Sequence, residues 1–232
     1  MILLGDNYYG PLDGVESLRW KNEFEDMYPS SLFPGPCYAV LGNHDYDDQP
    51  GGGAKFQLEY SKVSGSRWKM PDLWYRVDFP TLTMLFVNTH YKCLSAEQIV
   101  MQNAWLKKEM TSVRTRPWLM VSGHHPVLSA GENHGDSDYL APWRDLFNEN
   151  GVDAYLCGHE HDLQHLKEEG QPTHWLVSGA GGQNLHTLMK DKRKKFGKVM
   201  HGFLHLKVSV HQWSAIFVGD NAQALYRLDS PT

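Results

Sequence analysis

Four short stretches of this chain carry side chains that could bind metal ions, and each begins with a glycine. In chain order they are Gly5-Asp6-Asn7-Tyr8-Tyr9, Gly42-Asn43-His44-Asp45, Gly123-His124-His125-Pro126 and Gly158-His159-Glu160-His161. They offer a carboxylate, an amide oxygen and imidazoles, but no thiolate. This mixture suits iron, zinc or manganese better than a closed structural zinc site.

Such a ligand set favours hydrolysis at phosphorus. A carboxylate such as that of Asp6 can bridge two cations, and two cations about 3.5–4 Å apart can clamp both the attacking and the leaving oxygen of an in-line displacement. His159 and His161 are two residues apart, so both can turn towards one metal pair from the end of a strand. One H-x-H pair is weak evidence, but four such stretches in order predict a two-metal phosphoesterase site.

Each of the four stretches follows a short apolar run, at residues 2–4, 38–41, 118–121 and 154–157. Such runs are typical of buried strands, and α/β folds place chemistry where strands end and loops begin. The sequence therefore predicts that four strand ends hold the site.

The chain as a whole alternates predicted helices and strands in its first half and is rich in strands in its second half. Helices are predicted at 15–27, 54–63 and 139–150, and another runs from an N-cap at Ser95 to residue 113. Residues 73–88 form two strands that turn at Pro80-Thr81. This order predicts one α/β domain over residues 1–232, a four-layer α/β/β/α sandwich of two mixed sheets flanked by helices.

Composition excludes several classes of protein. The formal charge of −5 gives no reason to expect nucleic acid or an anionic membrane as a partner. No apolar run approaches the roughly 18 residues that span a bilayer. Three widely spaced cysteines argue against a disulfide scaffold or a thiolate zinc site. We expect a monomer.

The order of the four stretches resembles the calcineurin-like metallophosphoesterase superfamily, whose motifs are G-D-N-x-Y, G-N-H-D, G-H-x-P and G-H-x-H. Tyr9 narrows the resemblance to purple acid phosphatases, and the similarity to their small, tartrate-resistant type covers nearly the whole chain. The further stretches that carry it are Trp68, Trp74-Tyr75-Arg76, Trp105-Leu106-Lys107-Lys108 and Ser178-Gly179-Ala180-Gly181.

The resemblance implies a centre of Fe(III) and a divalent metal, which is Fe(II), Zn or Mn. Asp6 would bridge the two metals. Tyr9 and His161 would bind the ferric ion. The divalent metal would be held by the remaining ligands, Asn43, His124 and His159.

The resemblance also implies acid phosphatase activity on small phosphomonoesters or phosphoproteins, with a metal-bound hydroxide as nucleophile. His44 would contact the substrate phosphate and help to protonate the leaving group. His134 resembles a second histidine of this kind, and Asp45 would orient His44.

Two departures from the family pattern shape our expectations. Family members begin with a strand that ends in D-x-G, whose aspartate is a ferric ligand, whereas this chain opens within the next strand. We therefore expect an N-terminally incomplete domain. The resemblance implies a secreted, lysosomal or vacuolar location, but the segment that would carry the targeting signal is not in this sequence, so the location stays open. The interval between Cys93 and Trp105 is also short, so we expect no proteolytic activation there.

Two other functions remain open. The chain could be a different metallophosphoesterase, such as a nucleotide phosphodiesterase, or a truncated, metal-poor and inactive fragment that serves as a binding or structural module. Asp6 could be a turn residue and Tyr9 a packing residue. Seven further histidines are expected to be structural or surface residues, namely His125, His165, His174, His186, His201, His205 and His211. Of these, His125 is the first candidate to line the substrate pocket.

Overall fold

The computed structural model describes residues 1–46 and 52–230, which contain three α-helices and thirteen β-strands. The helices are α1 (Gly53–Tyr60), α2 (Ala96–Thr111) and α3 (Ala141–Glu149). The strands are β1 (Ile2–Leu3), β2 (Cys37–Ala39), β3 (Trp68–Lys69), β4 (Tyr75–Asp78), β5 (Leu82–Phe86), β6 (Trp118–Ser122), β7 (Ala154–Cys157), β8 (Leu163–Lys167), β9 (His174–Ser178), β10 (Lys194–Lys198), β11 (Gly202–Val208), β12 (Trp213–Gly219) and β13 (Ala224–Ser230).

The central sheet has seven strands in the order β10-β8-β9-β7-β6-β5-β4. Its middle strands β5, β6, β7 and β9 are parallel, and β4, β8 and β10 pair antiparallel at its two sides. Strands β5 and β7 are buried along their whole length, which explains why they are continuous apolar runs rather than alternating patterns.

Each face of the central sheet packs against a different layer. On one face Leu85 and Tyr155 pack with Leu106 of α2 and Phe147 of α3. On the other face residues such as Met120 pack in a second core with strands of two smaller sheets. Helices α2 and α3 therefore lie on one face of the central sheet, and the small sheets lie on the other.

The second predicted sheet is divided. The strands opposite the central sheet form a parallel sheet in the order β1-β2-β3 and an antiparallel sheet in the order β11-β12-β13. Trp68 of the first and Phe217 of the second lie in the same buried cluster. The mixed α/β architecture with flanking helices is confirmed, but two small sheets take the place of one mixed sheet.

The helix starts follow local chemistry. The N-cap of α2 is Ser95, whose hydroxyl accepts from the backbone N–H of Gln98 while the Gln98 side chain accepts from the Ser95 N–H, a complete capping box. This helix occupies the short interval before Trp105. The helix predicted at 15–27 is only a short π-helix, Trp20–Glu25, and the Trp20 indole N–H donates to the Gly14 carbonyl that precedes it.

The lysine-rich run around residues 190–198 includes an edge strand, β10, that pairs with β8. Within residues 1–46 and 52–230 no helix is long and apolar enough to cross a bilayer.

Candidate metal centre

The four glycine-led stretches meet where β1, β2, β6 and β7 end. Hydrogen bonds between their loops hold them together. The Gly123 N–H donates to the Leu156 carbonyl and the Gly158 N–H donates to the His124 carbonyl, each at 3.0 Å. His124 Nδ1 lies 2.8 Å from the Leu4 carbonyl and so links the central sheet to the small parallel sheet. The site is thus built at the junction of two sheets.

Close packing explains the glycines. A Cβ on Gly42 would lie 2.2 Å from Asp6 Oδ1, and one on Gly5 would lie 2.5 Å from His124 Nδ1. Asp6 and His159 themselves adopt left-handed backbone conformations, with φ of 52° and 65°. Non-glycine residues rarely adopt this region except where the surrounding structure imposes it, and such residues cluster at functional sites.

One set of four ligand atoms converges around His124. Its Nε2 lies 3.3 Å from Asp6 Oδ2, 3.1 Å from Asn43 Oδ1 and 3.1 Å from His159 Nδ1. The Leu4 carbonyl can only accept, so Nδ1 carries a proton and Nε2 faces the set. Even a protonated Nε2 could serve only one of these three acceptors. Ligands of one zinc ion at about 2.1 Å would be about 3.4 Å apart in a tetrahedron, so the set fits a cation.

A second set shares the same carboxylate oxygen. Tyr9 Oη lies 3.4 Å from Asp6 Oδ2 and 3.3 Å from His161 Nε2. The Asn184 carbonyl lies 2.8 Å from His161 Nδ1, which fixes the proton there and leaves Nε2 as the ligand atom. Asp6 Oδ2 therefore belongs to both sets, which is the geometry of a bridging ligand.

The electrostatics of both sets also suit cations. Burial lowers the pKa of His159 to about 2, helped by His124 and His134, so its imidazole is neutral and able to bind a metal. Burial opposes ionisation of Asp6, but the hydrogen bond and charge of His124 outweigh it and lower the Asp6 pKa. Burial and the nearby Asp6 raise the pKa of Tyr9, so its phenol would ionise only against a bound cation.

The two histidines expected to act on substrate each contact a different candidate ligand of this centre. The ring of His44 is 4.3 Å from that of Tyr9, and the ring of His134 is 4.2 Å from that of His159. Both are exposed. The structure thus brings together all the site residues predicted from the sequence. One of them makes contacts that differ from those predicted.

That residue is Asp45, whose carboxylate serves the backbone rather than the His44 ring. Within the described ranges its Oδ1 accepts from the N–H groups of Asn7 and Tyr8 and from Gln57 Nε2, and its Oδ2 accepts from the Gly42 N–H and Asn7 Nδ2. Burial raises the pKa of Asp45 to about 6 against the lowering effect of the Gly42 N–H. The prediction that it orients the His44 side chain is wrong; Asp45 fastens the first two motif loops together.

Sequence patterns missed part of the site. His186, expected to be structural or on the surface, stacks on His161 at 4.1 Å, and its Nδ1 accepts from the His161 N–H at 3.2 Å. Glu160, the variable residue of the fourth stretch, is fully buried and bonds to His134. His125 is buried with its ring 4.3 Å from that of His159. The high number of histidines in the chain, thirteen, was the only available signal for His186, because a loop brings this residue back to the centre.

The chain is similar in sequence to known phosphoesterases. The model of the calcineurin-like phosphoesterase family matches residues 1–163. Tartrate-resistant acid phosphatase type 5 of Mus musculus is 28% identical over 98% of this chain and 77% of the mouse protein. The Homo sapiens protein of the same name is 32% identical over 88% of this chain and 66% of its own length.

Solved structures share the fold. GAP50, described as the anchor in the inner membrane complex of Plasmodium, superposes with a TM-score of 0.83 at 22% identity over 98% of this chain and 76% of its own. A purple acid phosphatase from yellow lupin (Lupinus luteus) seeds gives 0.73 at 19% identity over 98% of this chain and 45% of its own. At these identities the likeness establishes fold alone.

Proposed function

Because this chain belongs to the calcineurin-like phosphoesterase family, we propose that it is an acid phosphatase that hydrolyses phosphate monoesters at a dinuclear metal centre. One observation carries the proposal: the single oxygen Oδ2 of Asp6 faces both ligand sets, at 3.3 Å from His124 Nε2 and 3.4 Å from Tyr9 Oη. A dinuclear centre is the norm of the family, and relatives named acid phosphatases support the activity.

The donor types support Fe(III) in one position and Fe(II), Zn or Mn in the other. A phenol and a carboxylate are hard oxygen donors, so the set of Asp6, Tyr9 and His161 suits the ferric ion. The set around His124 has two imidazoles and two oxygens, which suits the divalent ion. When bound, the two cations would activate water as the nucleophile and neutralise the phosphate charge.

The chain's own residues would position the substrate and manage the protons. His44 is exposed above Tyr9, where it can donate a hydrogen bond to the substrate phosphate. His134 packs against His159, where it can protonate the leaving oxygen. The Asp45 carboxylate accepts from the backbone N–H groups of Asn7 and Gly42 and so holds the two loops together. The neighbouring side chains of Asp6 and Asn43 can then bind the same cation.

The proposed substrates are small phosphomonoesters or phosphoproteins, acted on by a monomer without nucleic-acid or membrane partners. The exposure of His44 and His134 supports a site open to a phosphate at the end of a side chain or small molecule. The net charge of −5 gives no general attraction for polyanions.

The test is turnover of 4-nitrophenyl phosphate and of bis(4-nitrophenyl) phosphate by protein loaded with iron and zinc. We expect hydrolysis of the monoester and a visible tyrosinate-to-iron absorption band that Tyr9→Phe abolishes. Replacing His205, an exposed residue of the outer sheet, by Asn is the matched control and should change neither. Preference for the diester would favour a phosphodiesterase. At most one metal per chain with no turnover would favour a non-catalytic module.

A further inference from the structure

Glu160 lies between the candidate ligands His159 and His161 in the sequence, but this position alone does not explain why its side chain is buried. Its side chain is fully buried. A Cβ on Gly131 would lie 2.1 Å from Glu160 Oε2, and a Cβ on Gly179 would lie 1.9 Å from the Glu160 carbonyl. Two glycines on separate loops therefore make the space that this residue occupies.

The buried carboxylate reaches a single exposed imidazole. Glu160 Oε1 lies 2.7 Å from Nδ1 of His134, whose side chain is 48% exposed. A carboxylate accepts from this nitrogen, so the proton of the neutral ring resides on Nδ1. Nε2 is then the nitrogen left to face a bound substrate, and the ring lies against His159.

The second carboxylate oxygen of Glu160 lies near another histidine. Among the described residues Glu160 Oε2 has no hydrogen-bond partner, although Nδ1 of His186 lies 3.4 Å away. That nitrogen already accepts from the His161 N–H. A buried unsatisfied oxygen calls for an explanation, and His186 Nδ1 is the polar side-chain atom beside this one.

We propose that Glu160 is the positioning residue of His134: it fixes the ring's tautomer and orientation so that Nε2 faces the leaving oxygen of the phosphomonoester. In the reaction His134 acts as the imidazolium, which carries a proton on each nitrogen. Its Nε2–H bond breaks and that proton goes to the leaving oxygen, which keeps the electron pair of the broken P–O bond, and the ring is left as the neutral Nδ1–H tautomer that Glu160 stabilises. The inference rests on the proposed phosphatase function, since it assigns a role within the same site.

Leaving-group dependence separates this role from simple support of the fold. 4-Nitrophenolate departs without a proton, whereas the alcohol of glycerol 2-phosphate needs one. In the metal-loaded protein, Glu160→Ala should lower kcat for glycerol 2-phosphate by about 100-fold and for 4-nitrophenyl phosphate by less than about threefold. His134→Gln should show the same pattern, and the double variant should be no worse than His134→Gln alone because the two residues act as one unit.

Glu160→Gln is the conservative variant. Its amide oxygen can accept from His134 Nδ1 and its NH2 can donate to His186 Nδ1, so it should keep kcat for glycerol 2-phosphate within about threefold of the parent. Equal losses on both substrates in Glu160→Ala, additive losses in the double variant, or a glutamine variant as poor as the alanine variant would each overturn the proposal.

Nitrogen-15 NMR of the histidines gives an answer that does not depend on turnover. The parent and Glu160→Gln should show His134 with its proton on Nδ1, and Glu160→Ala should shift it to Nε2. Failure of the parent to hydrolyse either substrate would refute the proposed function, whereas an unchanged tautomer in Glu160→Ala would refute the positioning role.

Discussion

Replacing Asp45 by alanine should loosen the metal centre without touching a candidate metal ligand. The change removes the acceptor for the backbone N–H groups of Asn7, Tyr8 and Gly42 and for the Gln57 amide, at 2.7–3.1 Å. A buried donor left without a partner costs about 1–3 kcal/mol, but water entry and relaxation offset part of the sum. After these offsets we expect a loss of about 3–5 kcal/mol in the free energy of unfolding, at the upper end of what single substitutions cost when they break a buried hydrogen-bond network.

Asp45→Asn is the graded comparison. It keeps one oxygen for its partners but turns an NH2 group towards donors such as the Gly42 N–H, so we expect a loss of about 1–3 kcal/mol. Urea unfolding of the metal-free proteins would measure both losses without a contribution from bound ions. Metal affinity should fall by about 10–100-fold in the alanine variant, because the loops that carry Asp6 and Asn43 lose their shared anchor.

Two results would refute this reasoning. One is an alanine variant within about 1 kcal/mol of the parent, which would mean that the network adds no net stability. The other is a large loss of stability with unchanged metal affinity, which would mean that the two loops hold their ligands independently of Asp45.

Three further predictions follow from buried groups and close contacts. Burial lowers the pKa of His165 to about 4 and of His174 to about 3, so the unfolded chain takes up protons that the fold excludes. Lowering the pH from 7 to 5 should therefore destabilise the parent more than a variant with both histidines replaced by Asn, by about 1.4 kcal/mol per pH unit below 6.5 for each histidine in urea unfolding, and an equal change in the two proteins would contradict this. Gly131→Ala forces a Cβ to 2.1 Å from Glu160 Oε2, so its Tm should fall by several degrees, whereas Gly135→Ala, with open space around its Cβ, should not; equal Tm values would contradict the clash. Chelation should lower Tm, since ions at 1,000 times their Kd stabilise by about 4 kcal/mol each, and an unchanged Tm would show that no ion stabilises the fold.

The sequence predicted the site because its information is local. Each of the four stretches joins a buried strand to a glycine-led loop, and strand ends meet at sheet edges whatever the details of packing. The N-cap at Ser95 and the turn at Pro80-Thr81 are equally local, and the structure contains both. Local patterns were not always sufficient, since the helix predicted at 15–27 is only a short π-helix at Trp20–Glu25.

Long-range contacts were beyond the sequence. His186 reaches His161 from 25 residues away, and the Asp45 carboxylate bonds to a loop 38 residues earlier. The acidic residue of the fourth stretch could not be distinguished from a solvent-exposed spacer, because its burial depends on Gly131 in another loop. The division of the second layer into two sheets likewise depends on pairing between distant strands.

The most direct test of the account is the number of metal ions bound per chain in a calorimetric titration followed by elemental analysis. We expect two ions, the first bound more tightly, since among the described residues one set offers four side-chain ligands and the other three. Tyr9→Phe and Asn43→Ala should each weaken one ion, whereas Asp6→Ala should weaken both. A parent that saturates with one ion, or an Asp6→Ala variant that still binds two with unchanged affinity, would contradict the central claim that one carboxylate joins two metal sites.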